Sequence, residues 1–492
     1  MTIIANQQSD FSKATCIRSG FLQQVVPIDL NDHARKIWSA GVAAVNAENR
    51  VREFVSVTPT ELRFGEIGVS HAEYRNLVVV GAGKASGAMA AGLEQVLGDD
   101  YLRQKNVSGL INVPDDKVVQ LKRIQLIGCR PAGINLPTDR VLASTEKIIK
   151  LLAGCDPRDL CVFLIAGGGS ALLEQPLPPI TLAEFQQVTQ LLSHRGAAIE
   201  ELNAVRRTIS AVKGGGLARL ANCRRMMTLL ISDVLGDPLK IIASGPTVIE
   251  KQPLDSTTNT ELALSLLKKF DPDLSAVPTS VIETLSKRAA DVVAKIPAID
   301  TQVEHFIIGN NQMAVAAARN CAIELGYDCE YETDFSAETT EVVARRLVNW
   351  IRNQQQGDAS RAKRCLISGG EPTMQLSKNP GSGGRNQHLL LTAMAEMLRD
   401  QPIAGCRFCL LSGGSDGEDG NVPVAGALFD EKKIVALRAL DHGDWHSQVV
   451  RHLDRYDSHP LLSELGCLLK TEPTGTNVCD IRVVLWDRVA QP

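Results

Sequence analysis

The sequence has no surplus of either charge: 52 Lys and Arg stand against 56 Asp and Glu, a formal net charge of −4 over 492 residues. Such a balance gives no broad cationic field for a phosphodiester backbone or an anionic bilayer, so neither nucleic acid nor a membrane surface is expected as a partner. Long apolar runs are missing as well. The longest uncharged apolar stretch, Leu160 to Leu173, is closed by Asp159 and Glu174 and falls short of the roughly 18 residues a spanning helix needs. His-Glu-x-x-His and Gly-x-Ser-x-Gly are absent, and Cys and His never pair at zinc spacing, which argues against a zinc centre and a serine hydrolase. Cys406-Arg-Phe-Cys409 has redox spacing, but within a strand the two thiols face opposite sides, so core cysteines are expected. The twelve scattered cysteines suit reduced thiols in a cytosol-like compartment. Residues 1–21 lack the charged start, apolar centre and small-residue cleavage site of a secretory signal. Lys13 and Arg18 fit a mitochondrial presequence while Asp10 does not, so a cytoplasmic location is expected with a mitochondrial one left open.

A chain this long exceeds the roughly 250–300 residues at which single cores stop growing, which implies two domains. Its recurring theme is a short β-branched run, a Gly-rich turn and a helical pattern. Leu77–Val80 precedes Gly81-Ala-Gly83-Lys84, Cys161–Ile165 precedes Gly167-Gly-Gly-Ser170, and Leu229–Ile231 precedes Ser232-Asp233. Phe306–Ile308 leads into Gly309-Asn310, Cys365–Ile367 into Ser368-Gly-Gly-Glu371, and Cys409–Leu411 into Ser412-Gly-Gly-Ser-Asp416. Buried strands alternating with helices indicate an α/β chain on largely parallel sheets, with ligands gathered at the C-terminal strand ends. The expected division is an N-terminal extension 1–28, a large Rossmann-like domain 29–275, a linker 276–302 marked by Asp271-Pro, Pro278 and Pro297, and a smaller α/β domain 303–492. Residues 353–360 read as a surface loop.

Several strand-end clusters have chemistry to offer. The turn at Gly81, Gly83, Lys84 and Ser86 can present backbone N–H groups and an ammonium to an anion. It satisfies neither the dinucleotide fingerprint, which wants glycine at Ser86, nor the P-loop, which wants glycine at Val78. Gly168, Gly169 and Ser170 repeat the arrangement. At helical spacing Leu202, Val205, Ile209 and Val212 form one face and Asn203, Arg206, Ser210 and Lys213 an adjacent cationic one, predicting a single helix across this segment. Asp233 and Asp237, ahead of Ser244, put two carboxylates on one loop, a number that suits Mg²⁺ with phosphate oxygens, or a base for a substrate hydroxyl. Arg385 follows a Gly-rich loop and carries a fork suited to a carboxylate or phosphate, close to Glu371 and Asn386. The loop from Ser412 to Gly420 is acidic but lacks the distal Glu of a Ca²⁺ loop, and 473–477 is a small-polar loop.

Taken in order, VVVGAGKASGAMA, LIAGGGSALLEQP, ELNAVRRTISAVKGGGLA, ISDVLGDPLKIIASGPT, IIGNNQMAVAAA, ISGGEPTMQLSKNPGSGGRNQ, SGGSDGEDG and EPTGTNVCDI resemble the motif set of the glycerate 2-kinase family, with its C-terminal MOFRL domain. The resemblance implies a large N-terminal domain, a smaller C-terminal one and an active site in the cleft between them. It also implies transfer of the γ-phosphoryl of ATP to D-glycerate with Mg²⁺, generally at O2, with some animal members described as giving the 3-phosphate. By this resemblance Lys84, Asp233 and Arg385 are catalytic, and Asn203, Arg206 and Lys213 lie near the substrate. Glu371, Asn386, Asp416 and Asn477 fall in corresponding second-domain loops. Gly81, Gly83, Ser86, Gly168, Gly169, Ser170, Ser244 and Asn310 complete the binding set, with Asp233 and Asp237 as metal ligands and a homodimer as one oligomeric option. Asn135–Asp139, Ser193–Gly196 and Ser415 depart from the common family pattern. Two alternatives remain: an NAD-dependent hydroxy-acid dehydrogenase, suggested by the first turn, and a nucleotide-sensing module without turnover.

Overall fold

The computed structural model describes residues 29–131, 136–249, 257–290, 301–332, 338–355, 363–376, 379–401, 405–439 and 444–488. The extension 1–28, Asn135, residues 291–300 of the expected linker and most of the 353–360 loop lie outside the described residues. No described helix is long and apolar enough to cross a membrane.

The first large sheet has six parallel strands in the spatial order Ile124–Arg130, Ser108–Pro114, Leu77–Ala82, Leu160–Ile165, Arg225–Ile231, Gln302–Gly309. Counted along the chain this is 3-2-1-4-5-6, the doubly wound order. Its two central strands, Leu77–Ala82 and Leu160–Ile165, are buried at every position. Helices cover both faces, which is why these strands read as unbroken apolar runs rather than alternating ones. Val78, Val80, Cys161 and Phe163 pack into one core, while Leu77, Val79, Val162 and Leu164 pack into another. Strand order reverses between these two strands, so a crevice opens outside their C-terminal ends. The turns at Lys84 and at Gly167–Ser170 sit there.

The second sheet is mixed. Its order is Asp328–Glu332, Lys363–Gly370, Asp480–Arg488, Cys406–Gly414, Gly426–Asp430, Leu468–Leu469, with the central Asp480–Arg488 antiparallel to both neighbours. Cys406 and Cys409 fall in different cores on its two sides, as strand alternation requires, and both are free thiols.

The sheets divide the chain differently from the expected boundaries. Gln302–Gly309 closes the first sheet beside Arg225–Ile231, although residues from 303 onward are expected in the second domain. The helix Leu30–Ala43 belongs to the other side. Trp38 donates its indole N–H to the Gly413 carbonyl at 3.2 Å, and Ile37 and Val42 share a core with Leu411, Val483 and Leu485. A helical layer of 182–194, 199–208, 257–270 and 279–290 packs around Phe185, Val205, Leu267 and Leu285.

The single helix expected across 202–213 is two structures. The helix Ile199–Thr208 ends before Lys213, because the backbone beyond it pairs with an extended segment instead. Leu177 N–H donates to Ile209 O at 3.0 Å and Ala211 N–H to Gln175 O at 2.7 Å. Those cross-chain bonds take groups a continuing helix would need. Lys213 therefore leaves the stripe of Asn203 and Arg206 and turns into the core.

Candidate active site

The crevice at the strand-order reversal collects side chains from both units. Lys84 N–H donates to Gly167 O at 2.8 Å, joining the two central turns. Gly83 has φ +149°, and a β-carbon there would lie 2.5 Å from Ala166 O, so the close approach of these turns requires glycine. The Lys84 ammonium reaches across to Asp416 at 3.1 Å and Glu418 at 3.4 Å, on the acidic loop of the second unit. Burial works against its charge, but those two carboxylates outweigh it and hold the pKa above the ordinary lysine value.

Asp233 stands opposite. A β-carbon at Gly167 would lie 2.5 Å from Asp233 Oδ2 and 2.7 Å from Asn477 Nδ2, so backbone, carboxylate and amide meet at one point. Part of the residue's surface is accessible, yet protein atoms crowd the carboxylate. Burial first, and the Glu371 carboxylate second, push its pKa up to about 6, against the backbone N–H groups of Asp233 and Gly168 and the charge of Lys84. Cys479 donates its thiol to Asp233 O at 2.9 Å and lies 3.8 Å from Glu371, joining the two units.

Arg385 begins the helix Arg385–Arg399. Its Nε and Nη2 donate to Asp480 at 2.7 and 2.9 Å, and Nη1 pairs with Glu371 at 2.8 Å. Burial opposes the charge, while Asp480 and Glu371 keep it. Asn386 is fully buried and donates to both Asp480 and Asp419. Asp419 also accepts the Asn386 and Gln387 backbone N–H groups at 3.0 and 2.9 Å, fixing the start of the helix that aims Arg385.

The other expected residues brace the turns around this crevice. Ser86 is buried and donates to Leu164 O at 3.1 Å, tying helix to strand. That anchoring, at the position where a dinucleotide site needs glycine, removes the basis of the dehydrogenase alternative. Asn310 caps the helix Asn311–Glu324 and donates to Asp237. Ala243 and Ser244 both hold positive φ, +50° and +63°, a strain kept only where surroundings overdetermine it. It puts the Ser244 hydroxyl 3.0 Å from Ser170 Oγ and 3.3 Å from Asn203 Oδ1. Lys213 lies under the same turn, fully buried, donating to Ser170 O at 2.9 Å and Leu173 O at 3.2 Å and pairing with Glu174 at 3.3 Å. Burial pushes its pKa down to about 8 despite Glu174. Arg206 is 4.0 Å from the same Glu174 and lies over the Phe185 ring.

Two residues have no counterpart in the expected set. Glu174, which in sequence only closes an apolar run, is the buried counter-charge of Lys213 and accepts Ser210 Oγ at 2.6 Å. Arg130 ends the strand Ile124–Arg130 and is 2% exposed. A β-carbon at Gly168 would lie 3.3 Å from its Nη2 and 3.6 Å from Lys84 Cγ. Its Nε has no hydrogen-bond partner, and among the described residues no carboxylate pairs with it. Burial lowers its pKa, and the carboxylates of Asp116 and Glu418 offset that only in part, so a bound anion would complete the compensation. The only signal in sequence is an arginine ending an apolar run.

Residues 33–286 match a family described as a domain of unknown function, DUF4147, and 364–480 match the MOFRL family. The glycerate kinase of Homo sapiens is 34% identical, over 92% of this chain and 93% of that one. That of Danio rerio is 33% identical, over 93% and 97%. The D-glycerate 2-kinase of Thermotoga maritima is 32% identical, over 83% and 90%. A crystal structure of glycerate kinase from Thermotoga maritima superposes with a TM-score of 0.74 at 29% identity, covering 94% of this chain and 99% of that chain.

Proposed function

The chain belongs to the glycerate kinase family and phosphorylates glycerate with ATP, and from that premise we propose which groups carry out the transfer. The observation that carries the reading is the meeting of Lys84, Asp233 and Arg385, from three distant loops and two units, around one crevice. A small acid held at Gly167–Gly168 lies within reach of Arg130 and Lys84, whose charges suit its carboxylate and the incoming phosphoryl oxygens. Asp233 orients the attacking hydroxyl and accepts its proton, a role for which a pKa near 6 is well matched. Arg385, aimed by Asp480, faces the phosphate chain from the second unit. Phosphoryl transfer needs little covalent help from protein, so positioning and charge neutralisation account for most of the catalysis.

Asp233 and Glu371 fit a Mg²⁺ ion better than Asp233 and Asp237 do. The Glu371 carboxylate raises the Asp233 pKa, so the two negative groups are near one another, and Mg²⁺ takes one or two carboxylates together with phosphate oxygens. Bound there, it would offset charge on the transferring group.

The activity of the Thermotoga relative, a D-glycerate 2-kinase, favours O2 of D-glycerate as acceptor. Incubation with Mg-ATP and D-glycerate, followed by phosphorus NMR, is expected to give ADP and a phosphate ester split by one proton, the 2-phosphate. A resonance split by two protons would move the acceptor to O3. Lys84→Ala should lose turnover by about 10³-fold, roughly 4 kcal/mol, and unchanged turnover would remove Lys84 from the transfer.

A further inference from the structure

We propose that a cavity of the second unit, beside Arg385, is the adenine pocket of this kinase; the proposal rests on the reading above and says where the nucleoside end of ATP lies. The cavity measures about 400 Å³ and is walled by Pro372, Met374, Leu376, Arg385, His388 and Tyr456. That size is within the range of small-molecule sites, which combine apolar walls with a few placed polar groups.

Two polar atoms of its wall are buried and unpartnered. His388 is 4% exposed and Ser458, which also lines the cavity, is 1% exposed. Neither His388 Nδ1 nor Ser458 Oγ has a hydrogen-bond partner. The other imidazole nitrogen, Nε2, is 3.3 Å from Glu341. A proton on Nε2 facing that carboxylate leaves Nδ1 as an acceptor. Burial also holds the His388 pKa below its ordinary value, which keeps the ring neutral. The Tyr456 ring is stacked on it, with centroids 5.3 Å apart and planes 14° from parallel. Turned toward the cavity, that acceptor and that hydroxyl donor beside the aromatic stack would complement adenine, whose amino group donates and whose ring nitrogens accept. An orphaned buried polar pair costs free energy unless such a partner arrives.

The lining distinguishes this cavity from its neighbour. The cavity beside Lys84, about 270 Å³, is lined by four carboxylates, Glu48, Asp116, Asp416 and Glu418, against two ammonium groups, Lys84 and Lys117. Adenine is neutral, so that surplus bears on the phosphates and not on the base. The Arg385 cavity has a guanidinium and no carboxylate in its wall. Adenine at His388 and Tyr456 would send the phosphates past Arg385 toward Asp233 and Lys84, leaving the Gly167–Arg130 side for the acid.

The test is ADP and GDP binding to the full chain by calorimetry, with steady-state kinetics alongside. Met374→Trp fills the pocket and is expected to raise the ADP Kd and the ATP KM at least 10-fold, with the glycerate KM unchanged. Ser458→Ala, a small change for the fold, should weaken ADP about 5- to 10-fold, the worth of one hydrogen bond, and shrink the preference for ADP over GDP. Val119→Trp, in the other cavity, should leave ADP binding as it is. If Val119→Trp weakens ADP while Met374→Trp and Ser458→Ala do not, the base lies beside Lys84 and the proposal is overturned. Because ADP binding is read without turnover, it remains decisive even if no phosphoglycerate forms, an outcome that would sink the kinase reading alone.

Discussion

Two buried cations flank the turn Gly167–Ser170 in opposite circumstances. On the inner side Lys213 is met by Glu174 and by the carbonyls of Ser170 and Leu173. On the crevice side Arg130 touches the same turn at Gly168 with its Nε unpartnered. Both lysine and arginine are costly to bury, so the difference lies in who provides the compensation. For Lys213 the protein provides it, and the cation becomes a brace under the turn. For Arg130 the carboxylates of Asp116 and Glu418 supply only part of it, and the rest is left to whatever binds, which turns the cost of burial into affinity for an anion.

Removing Glu174 should break the inner arrangement with the largest effect. Glu174→Ala leaves Lys213 buried and unpaired, a loss of about 3–5 kcal/mol, visible as a lower denaturation midpoint. A midpoint within error of the parent would mean that the brace is not one. Arg130→Leu should do the reverse. Stability is expected to hold or rise, while kcat/KM for glycerate falls about 100-fold, ~2.7 kcal/mol, and the ATP KM stays put. Destabilisation without a change in glycerate KM would erase the distinction between the two sides.

The smallest effect sharpens the crevice side. The Asp233 pKa is raised to about 6 in the fold from roughly 3.9 in an unfolded chain. The folded protein therefore holds an extra proton between those values. The contribution of Asp233 to stability falls as pH rises from about 4 to 6, while the ionised base needed for transfer is lost as pH falls below about 6. The kcat/KM profile should show that acid limb, and Glu371→Gln, which lowers turnover by removing a proposed Mg²⁺ ligand, should also move the limb to lower pH by a fraction of a unit because a neighbouring negative charge is gone. An unmoved limb would separate Glu371 from Asp233.

The strands and their Gly-rich ends were legible in sequence because burial on both faces leaves unbroken β-branched runs, as at Leu77–Val80 and Cys161–Ile165. Local chemistry of that kind also marks Lys84, Asp233 and Arg385, each just past a strand or glycine loop. What sequence hid depends on distant partners. Periodicity alone extends a helix to Lys213, whereas pairing of Ile209 and Ala211 with residues 175–177 stops it. That Asp237 accepts from Asn310, on another strand end, is likewise not written in either segment alone. Arg130 and Glu174 acquire meaning only once folding brings the turn of Gly168 and the amine of Lys213 against them. The unit boundaries were obscured in the same way, since Gln302–Gly309 and Leu30–Ala43 each join the sheet farther from them in sequence.

The packing of Trp38 against Gly413, 375 residues later, bears on how the molecule comes into being. A ribosome releases the helix Leu30–Ala43 early, but the surface it must cover, around Leu411, Val483 and Leu485, emerges last. Early segments therefore wait with an apolar face uncovered, an interval in which chaperones and aggregation compete for it. A fragment beginning at residue 303 would inherit the complementary problem, a bare sheet face with no helix to close it.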